Sequence, residues 1–330
     1  MVDSEPEKEN QEKPRLLTRI RDAMRLKHHS ARTEKAYIGW IKRFIRFHNN
    51  RHPSTLAEPE VTAFLTHLAV VGKVSPSTQS QALAALLFLY RQVLKVEMPW
   101  LDSLVRAKPR VSLPVVMSRE EVRMLLGELD GLQRLMAAVL YGTGMRLMEC
   151  CQLRIKDVDF YRHQMTVRRG KGGKDRAALF PKGLEKDLRR QIWNVTGQHE
   201  ADLAKGGGWV LLEEGLTRKY PNAGRELGWQ WVFPATRVHV DQKTGHVWRH
   251  HLHQSVLQRA VKEAARRAKI QKRVTCHILR HSFATHLLED GSDIRTIQQL
   301  MGHKDVRTTM KYLHLLDRGP LGVRSPLDRL

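Results

Sequence analysis

The sequence predicts a mainly α-helical protein that carries one small antiparallel sheet and is divided into two domains. The 330 residues exceed the usual length of a single domain. Apolar residues recur at three- and four-residue steps over much of the chain, which is the periodicity of helices with one buried face. Short β-rich runs are grouped between residues 155 and 180, so the second domain is expected to be of the α+β class.

The first predicted domain, residues 15–100, is a helical bundle that follows a polar tail. Residues 1–14 contain almost no apolar side chains and are expected to be disordered. Ser30 is placed to cap a helix whose apolar side chains share one face and whose basic side chains cover the other. Further helices are expected from Glu58, with Pro59 in the first turn, and after Ser75.

The second predicted domain, residues 115–330, follows a basic, proline-rich linker at residues 101–114. Ser118 and Glu121 form a capping box ahead of its first helix, and Gly142 and Gly144 interrupt the next helical stretch. The runs IKDVDF, QMTVRR and AALF then predict a three-stranded antiparallel sheet. Helical periodicity resumes near residue 182, residues 206–228 are glycine-rich and irregular, and helices return from residue 255.

The charge balance points to a polyanionic partner. Lys and Arg number 57 against 34 Asp and Glu, which gives a net charge of +23, so nucleic acid is the first candidate. The three cysteines show no C-x-x-C spacing, which argues against a disulfide framework and favours a reducing, intracellular compartment. No apolar run approaches the roughly 18 residues of a membrane span, and the charged N-terminal sequence does not resemble a signal peptide.

The stretch TCHILRHSFATHLL, residues 275–288, sets histidines and an arginine into an apolar helical pattern. His277 and Arg280 are three residues apart and share a helix face. A zinc site is disfavoured because the segment contains no acidic residue and lacks the H-E-x-x-H pattern. His281 and His286 are expected to have packing or supporting roles, and the residues alone leave His277 and Arg280 open between packing and chemistry.

Three further motifs carry candidate residues. GKGGKD, residues 170–175, lacks the pattern of a phosphate-binding P-loop and is interpreted as a hairpin tip that bears Lys171. In GTGMRLMEC, Glu149 follows Arg146 by three residues, a spacing that allows the carboxylate to orient the guanidinium or merely to form a surface pair. Near the C-terminus His303 precedes Tyr312 by nine residues, and the tyrosine could equally be a packed side chain.

Together these residues suit phosphodiester chemistry without a metal ion. Such chemistry needs fixed cations for the nonbridging oxygens, a nucleophile, a route for its proton and an acid for the leaving alkoxide. The candidates supply each part, with no acidic cluster that would hold Mg²⁺, so no metal and no cofactor are expected. The candidate set is Arg146, Lys171, His277, Arg280, His303 and Tyr312, with Glu149 in support.

The motifs R-x-x-E, G-K-G-x-K, H-x-L-R-H and L-x-G-H, followed by a tyrosine, resemble those of the tyrosine recombinase family from about residue 15 to the end of the chain. The resemblance implies a C-shaped, two-domain clamp around DNA, with a helical core-binding domain and a catalytic domain. It implies that Arg146 and Arg280 clamp the scissile phosphate and that His277 and His303 hydrogen-bond it or move protons. Tyr312 would attack the phosphorus to give a 3′-phosphotyrosyl bond, and Lys171 would protonate the leaving 5′ oxygen.

An inserted segment at about residues 190–250 and the ending LDRGPLGVRSPLDRL resemble the integron integrase branch of that family. This resemblance implies gene-cassette capture through folded single-stranded DNA sites with extrahelical bases. Base contacts are assigned by this match to Trp229, His250 and His251, although tryptophan beside other aromatic residues is often part of a core. The resemblance to the recombinase family implies a homotetramer on DNA, with the residues after Tyr312 contacting a neighbour, in the bacterial cytoplasm at the nucleoid. The lack of a long apolar run predicts no membrane association.

The alternatives are distinguished by substrate. A Xer-type or phage-type recombinase would act on ordinary duplex sites. A type IB topoisomerase would relax supercoils without a partner site, and a protein that had lost catalysis would bind DNA without forming a covalent adduct.

Overall fold

The computed structural model describes residues 15–96, 115–168, 175–242 and 244–313. The chain divides into two compact units, residues 1–112 and 113–330. Several predicted features fall outside the described residues, namely the tail at 1–14, the linker at 101–114, the hairpin tip with Lys171, and the C-terminal segment from residue 314.

The described part of the first unit is helical. Its helices are α1 (Leu16–Leu26), α2 (Ala31–Phe47), α3 (Glu58–Val70) and α4 (Pro76–Phe88), and α4 continues as a π-helical turn over Leu89–Leu94. The hydroxyl of Ser30 accepts a hydrogen bond from the Thr33 amide at 3.2 Å, which fixes the start of α2 as the sequence predicts. α2 packs against α4, and the apolar faces of the four helices form one core.

The second unit is built around α6 (Gly131–Thr143), which contacts α5 (Arg119–Gly127) on one side and α10 (Gln254–Arg267) and α11 (Cys276–Glu289) on others. The remaining helices in the described residues are α7 (Leu147–Cys151), α8 (Glu185–Ala204), α9 (Glu214–Lys219), α12 (Ile294–Met301) and α13 (Val306–Met310). The capping box of α5 forms as predicted, with the Ser118 hydroxyl accepting from the Glu121 amide at 3.1 Å.

The predicted three-stranded antiparallel sheet is present, in the order β1 (Val158–Asp159), β2 (Gln164–Val167), β3 (Arg176–Leu179). Met165 lies opposite Ala178, and both are buried against the helices. Strand β3 contacts both α6 and α12, so the sheet is attached to the two elements that frame the site described below. The mainly helical fold class with a small antiparallel sheet is therefore confirmed.

The prediction of a single sheet was wrong. A second antiparallel pair is formed by β4 (Pro234–Val240) and β5 (Val247–His251). Its apolar side chains lie largely outside the core, since Val238 and Val240 are 45% and 53% exposed. The alternation of buried apolar and exposed polar residues that predicts a strand is therefore missing. A tertiary contact holds the pair instead, because Arg249 donates to both oxygens of Asp202 on α8 at 2.6 and 2.7 Å. The short helix α9 likewise lies in a stretch predicted to be irregular.

Within the described residues no helix is both long and apolar enough to cross a membrane.

Candidate active site

The turn between α6 and α7 places Arg146. Gly144 ends α6 in the left-handed conformation, with φ of +65°, and Arg146 then caps α7. Glu149 faces back on the first turn of α7, where its carboxylate accepts from the Arg146 backbone amide and from Arg146 Nη1, both at 2.8 Å. The predicted pairing of these residues is therefore made, and it orients the guanidinium rather than covering the protein surface.

Glu149 also binds an arginine that the sequence analysis did not identify. Arg176, the first residue of β3, donates from Nη1 and Nη2 to the two carboxylate oxygens at 3.0 and 2.6 Å. Burial acts to raise the pKa of Glu149, but the hydrogen bonds and charges of Arg176 and Arg146 outweigh it and hold the pKa at about 2. Glu149 is therefore an anion at neutral pH and is surrounded by cations.

Arg280 is buried at the centre of the site, with 1% of its surface exposed. Its Nη1 and Nη2 donate to the carbonyl oxygens of Gly144 and Met301, so it joins the C-terminal ends of α6 and α12. Burial, and then the like charge of Arg146, lowers the pKa of Arg280 to about 9, which leaves it protonated at neutral pH. The helix that carries it, α11, is anchored on its other sides by buried apolar residues such as Leu279 and Phe283.

His303 follows the left-handed Gly302 at the end of α12 and lies beside Arg280. Its Nε2 is 3.2 Å from Arg280 Nη2, and its Nδ1 is hydrogen-bonded to the Thr309 hydroxyl at 2.8 Å. Burial, followed by the charge of Arg280, lowers the pKa of His303 to about 3. His303 is therefore uncharged at neutral pH and shares the hydrogen-bonding network of the arginine.

Tyr312 follows α13 and is 2% exposed, in a small apolar cluster with Phe283 and Met301. Burial raises the pKa of its hydroxyl to about 12, although the charges of Arg280 and Arg146 act to lower it. The rings of Tyr312 and His303 are nearly parallel, with centroids 6.3 Å apart. The tyrosine and the two predicted arginines thus converge on one region of the second unit.

His281 contacts the tyrosine hydroxyl directly, which the sequence analysis missed. Its Nδ1 lies 2.8 Å from Tyr312 Oη, and burial, then the neighbouring His277, lowers the pKa of His281 to about 4. At neutral pH the ring is uncharged, and in the tautomer with hydrogen on Nε2 its Nδ1 accepts the hydrogen bond that Tyr312 donates. His286, the other histidine assigned to packing, is buried and bonded to the Met117 carbonyl and the Tyr141 hydroxyl.

His277 lies at the edge of this cluster. Its side chain is exposed, and its ring centroid is 4.2 Å from that of His281. Lys171 belongs to residues 169–174, which lie outside the described part of the chain. Of the residues predicted from the sequence, the structure therefore brings together Arg146, Glu149, Arg280, His303 and Tyr312, with His277 beside them.

The three candidate base contacts lie elsewhere in the second unit. Trp229 is half-buried, and the ammonium nitrogen of Lys156 lies 2.6 Å from its ring centroid. The Arg154 guanidinium lies over both Trp229 and Trp231, at 5.5 and 3.7 Å, and His251 meets the edge of Trp231 at 5.4 Å. His250 is exposed on β5. Trp229 and His251 are therefore linked through Arg154 and Trp231, and one face of the Trp229 ring is covered by a cation.

The chain matches known proteins over most of its length. A family model described as the phage integrase family matches residues 116–318, and one described as the phage integrase N-terminal SAM-like domain matches residues 16–100. An integrase/recombinase of Escherichia coli is 50% identical over 316 residues, which cover 96% of this chain and 94% of that protein. The tyrosine recombinase XerD of Agrobacterium fabrum is 31% identical over 278 residues, which cover 78% of this chain and 76% of that protein.

The fold also matches solved structures. A lambda integrase tetramer bound to a Holliday junction has a TM-score of 0.63 to this chain at 16% sequence identity, and the match covers 90% of this chain and 76% of that one. At 16% identity this match shows a similar fold and nothing more.

Proposed function

The chain belongs to the phage integrase family and is a site-specific tyrosine recombinase. We propose that Tyr312 is the nucleophile with which it cleaves and rejoins DNA. The observation that carries this assignment is the convergence of Arg146, Arg280 and His303 on the region of Tyr312. Both arginine charges act on the tyrosine hydroxyl in the direction that favours its anion.

In the proposed reaction Arg146 and Arg280 bind the nonbridging oxygens of the scissile phosphate. The oxygen of Tyr312 attacks phosphorus, and the bond from phosphorus to the 5′ oxygen breaks. A 3′-phosphotyrosyl bond forms and a 5′-hydroxyl leaves, with Lys171 as its proton donor. Two arginines fixed by protein contacts stabilise the added charge of the transition state without reorganising at the moment of reaction.

The proton of Tyr312 needs an acceptor, and His281 is the described side chain that hydrogen-bonds its hydroxyl. We assign the first step of proton removal to His281, with His277 and His303 as hydrogen-bonding neighbours of the phosphate. In the reverse direction the 5′-hydroxyl of a new strand attacks the phosphotyrosyl bond and the tyrosine regains its proton. The bond energy is retained in the intermediate, so the reaction requires no ATP.

Replacement Tyr312→Phe tests the nucleophile. The variant keeps the aromatic ring in the apolar cluster but loses the attacking oxygen, so we expect normal DNA binding and no covalent protein–DNA adduct on a nicked substrate. The matched control is Tyr161→Phe, because Tyr161 is 94% exposed. An adduct that persists in Tyr312→Phe would exclude this assignment.

We propose that the chemistry uses no metal ion or cofactor, because Arg146, Arg280 and Lys171 supply the cations that a metal would otherwise provide. Adduct formation should be unchanged after exhaustive chelation with EDTA. A loss that Mg²⁺ restores would contradict this part of the proposal.

We further propose that the substrate is of the integron type, a folded single strand whose extrahelical bases contact Trp229, His250 and His251. The contacts among Lys156, Trp229, Arg154 and Trp231 support this, since they bring cations and aromatic rings together, as sites for single-stranded nucleic acid do. Trp229 is half-buried, so part of its side chain is exposed to solvent.

The substrate proposal is tested by comparing a folded single strand that carries unpaired bases with the fully paired duplex of the same sequence. Trp229→Ala should weaken binding to the folded strand by roughly 1 to 3 kcal/mol, the stacking energy of one base, and leave duplex binding unchanged. Trp193→Ala is the control, because Trp193 is 76% exposed on α8. Equal cleavage of the duplex, or equal effects of both variants, would favour a Xer-type or phage-type recombinase on duplex sites.

We propose that four protomers act together on two sites, as in the lambda integrase tetramer on its junction. Recombination of two sites requires two strand exchanges, and the second exchange requires a second pair of nucleophiles. Light scattering of the protein with a pre-formed four-way junction should give the mass of four protomers.

A further inference from the structure

Arg176 is a partly buried arginine that the reaction proposed above does not use. Its side chain is 11% exposed, and its Nε, Nη1 and Nη2 all donate to protein oxygens. We propose that Arg176 is a positioning residue for DNA cleavage, which acts through Glu149 on Arg146 and through the end of α12 on both clamp arginines. This inference rests on the proposed function of the site and goes beyond it by adding a residue that does not touch DNA.

The first route runs through Glu149. Its carboxylate accepts two hydrogen bonds from Arg176 and two from Arg146, at distances between 2.6 and 3.0 Å. Arg146 is the more exposed of the two arginines that bind Glu149, with 26% of its side chain exposed against 11% for Arg176. Without Arg176 the carboxylate would lose half of its hydrogen bonds and would be held by Arg146 alone. The orientation of the Arg146 guanidinium would then be less firmly fixed.

The second route runs through the turn at the end of α12. Arg176 Nε donates to the Leu300 carbonyl at 3.0 Å. The next two carbonyls of the same turn accept from the clamp, Met301 from Arg280 and Gly302 from Arg146 at 3.3 Å. One guanidinium therefore fixes the turn on which both phosphate-binding arginines depend.

Gly302 shows how closely Arg176 is fitted to this turn. A Cβ atom at Gly302 would lie 2.9 Å from Arg176 Cδ and 3.1 Å from its Nε. Gly302 also has a φ of +60°, which favours glycine. The backbone of the turn thus approaches the side chain directly, and His303 follows immediately in the chain.

The charge of Arg176 alone does not explain these contacts. A lysine would keep the positive charge, but it is a point charge and lacks the planar fork that binds both oxygens of Glu149 while Nε reaches Leu300. The proposal therefore separates charge from geometry, and the conservative variant Arg176→Lys is the informative one.

The test measures single-turnover cleavage of a nicked substrate by Arg176→Lys and Arg176→Gln, with DNA affinity determined separately. We expect affinity within about twofold of wild type and a cleavage rate lower by about 10²-fold, the scale on which a small misplacement of a catalytic group acts. Arg189→Lys is the control, since Arg189 pairs with Glu185 on the exposed face of α8. Wild-type cleavage by folded Arg176→Lys would overturn the proposal.

A second measurement separates positioning from loss of structure. When the scissile phosphate is replaced by a methylphosphonate, one nonbridging oxygen becomes a neutral methyl group, and less cationic clamping is needed. The cleavage defect of both Arg176 variants should shrink on this substrate. A defect of the same size on both substrates would indicate a merely structural role and would reject the inference.

A double-mutant cycle with Glu149→Gln tests the first route, because residues that act as a unit show non-additive losses. The Arg176→Lys defect should be smaller in the Glu149→Gln background, and full additivity would exclude action through Glu149. The inference can fail independently of the proposed function: if Tyr312→Phe still forms an adduct, the function fails, whereas normal cleavage by Arg176→Lys alone rejects only the role of Arg176.

Discussion

At the scale of single residues, the site is a group of cations organised around one carboxylate. Arg146 and Arg176 bind Glu149 directly, and Arg280 Nη1 lies 4.0 Å from its Oε2. Arginines that would repel one another are thus held together by a shared anion. Removing the anion should therefore affect both the stability of the unit and the geometry of the clamp.

The stabilisation by Glu149 should depend on pH. A carboxyl group whose pKa is lower in the folded chain stabilises the fold above its unfolded pKa, and this stabilisation is lost as the pH falls toward the folded pKa. For Glu149 the pKa falls from 4.5 to about 2, which corresponds to roughly 3 kcal/mol. We expect Glu149→Gln to be less stable at pH 7 by up to this amount, and the difference from wild type to decrease between about pH 5 and pH 2.

Free energies of unfolding from denaturant titrations over this pH range measure the effect. Glu263→Gln is the control, because Glu263 lies on the surface of α10. A difference that stayed constant from pH 7 to pH 3 would show that the Glu149 charge does not contribute as described.

The role of His281 is also open to a residue-level test. His281→Asn keeps a hydrogen-bond acceptor close to the position of Nδ1, whereas His281→Leu removes it. We expect His281→Leu to lower the rate of adduct formation by about 10²-fold, at the low end of general base contributions, and His281→Asn to recover part of the loss. Single-turnover cleavage measures both variants, and equal rates in the two would remove His281 from the proton route.

At the scale of secondary-structure elements, the ends of three helices meet side chains of α11 to build the site. Gly144 ends α6, Arg146 caps α7 and Gly302 ends α12. The unpaired carbonyls at the ends of α6 and α12 become acceptors for Arg280. Helix α11 places Arg280 within reach of these carbonyls and His281 within reach of Tyr312.

Gly144→Ala tests this arrangement. An added Cβ would overlap the ring of Phe283, and the residue has a φ of +65°, so both packing and backbone conformation oppose the change. Gly131→Ala is a matched control at the other end of α6, because its φ is +51° but no atom lies within 4 Å of the added Cβ. We expect a loss of about 1 to 2 kcal/mol for Gly131→Ala, and a further loss of about 1 to 3 kcal/mol for Gly144→Ala.

Thermal or denaturant unfolding measures the two losses, and cleavage assays show whether Arg280 is displaced. Gly144→Ala should also cleave more slowly, since the Gly144 carbonyl binds Arg280. Equal stability of the two variants would contradict the close packing of Gly144 on Phe283.

At the scale of the whole molecule, we expect the net charge of +23 to govern the encounter with DNA. Part of this charge lies on α2 of the first unit, where Lys42, Arg43 and Arg46 are exposed. Binding to phosphates releases the counterions condensed on DNA, so affinity should depend strongly on salt. This contribution is independent of the chemistry that we propose for Tyr312.

We expect the logarithm of the binding constant to fall linearly with the logarithm of salt concentration. With 6 to 10 phosphate contacts the affinity should fall by about 10³ to 10⁵ between 50 and 200 mM salt. Replacing Arg43 by Gln should reduce the slope by about 0.9 if that side chain contacts one phosphate. Fluorescence anisotropy with labelled DNA measures the slope, and a flat response would contradict the electrostatic interpretation.

The sequence by itself determined the fold class, the helix caps at Ser30 and Ser118, and the three-stranded sheet, because these depend on local periodicity and on contacts between near neighbours. It also identified candidates for each part of the chemistry, since their spacing matches a known family. The β4–β5 pair escaped prediction because its strands are fixed by Arg249 and Asp202, 47 residues apart, rather than by an alternating buried face.

The tertiary structure alone decided which candidates lie together. The contact of His281 with Tyr312 joins residues 31 apart, and that of Arg176 with Leu300 joins residues 124 apart. Neither contact leaves a periodic signal in the sequence, because a single polar residue in an apolar element looks the same whether it is packed or faces a site. Side chains that orient other side chains are specified by the packing of distant elements, and only the folded chain brings those elements together.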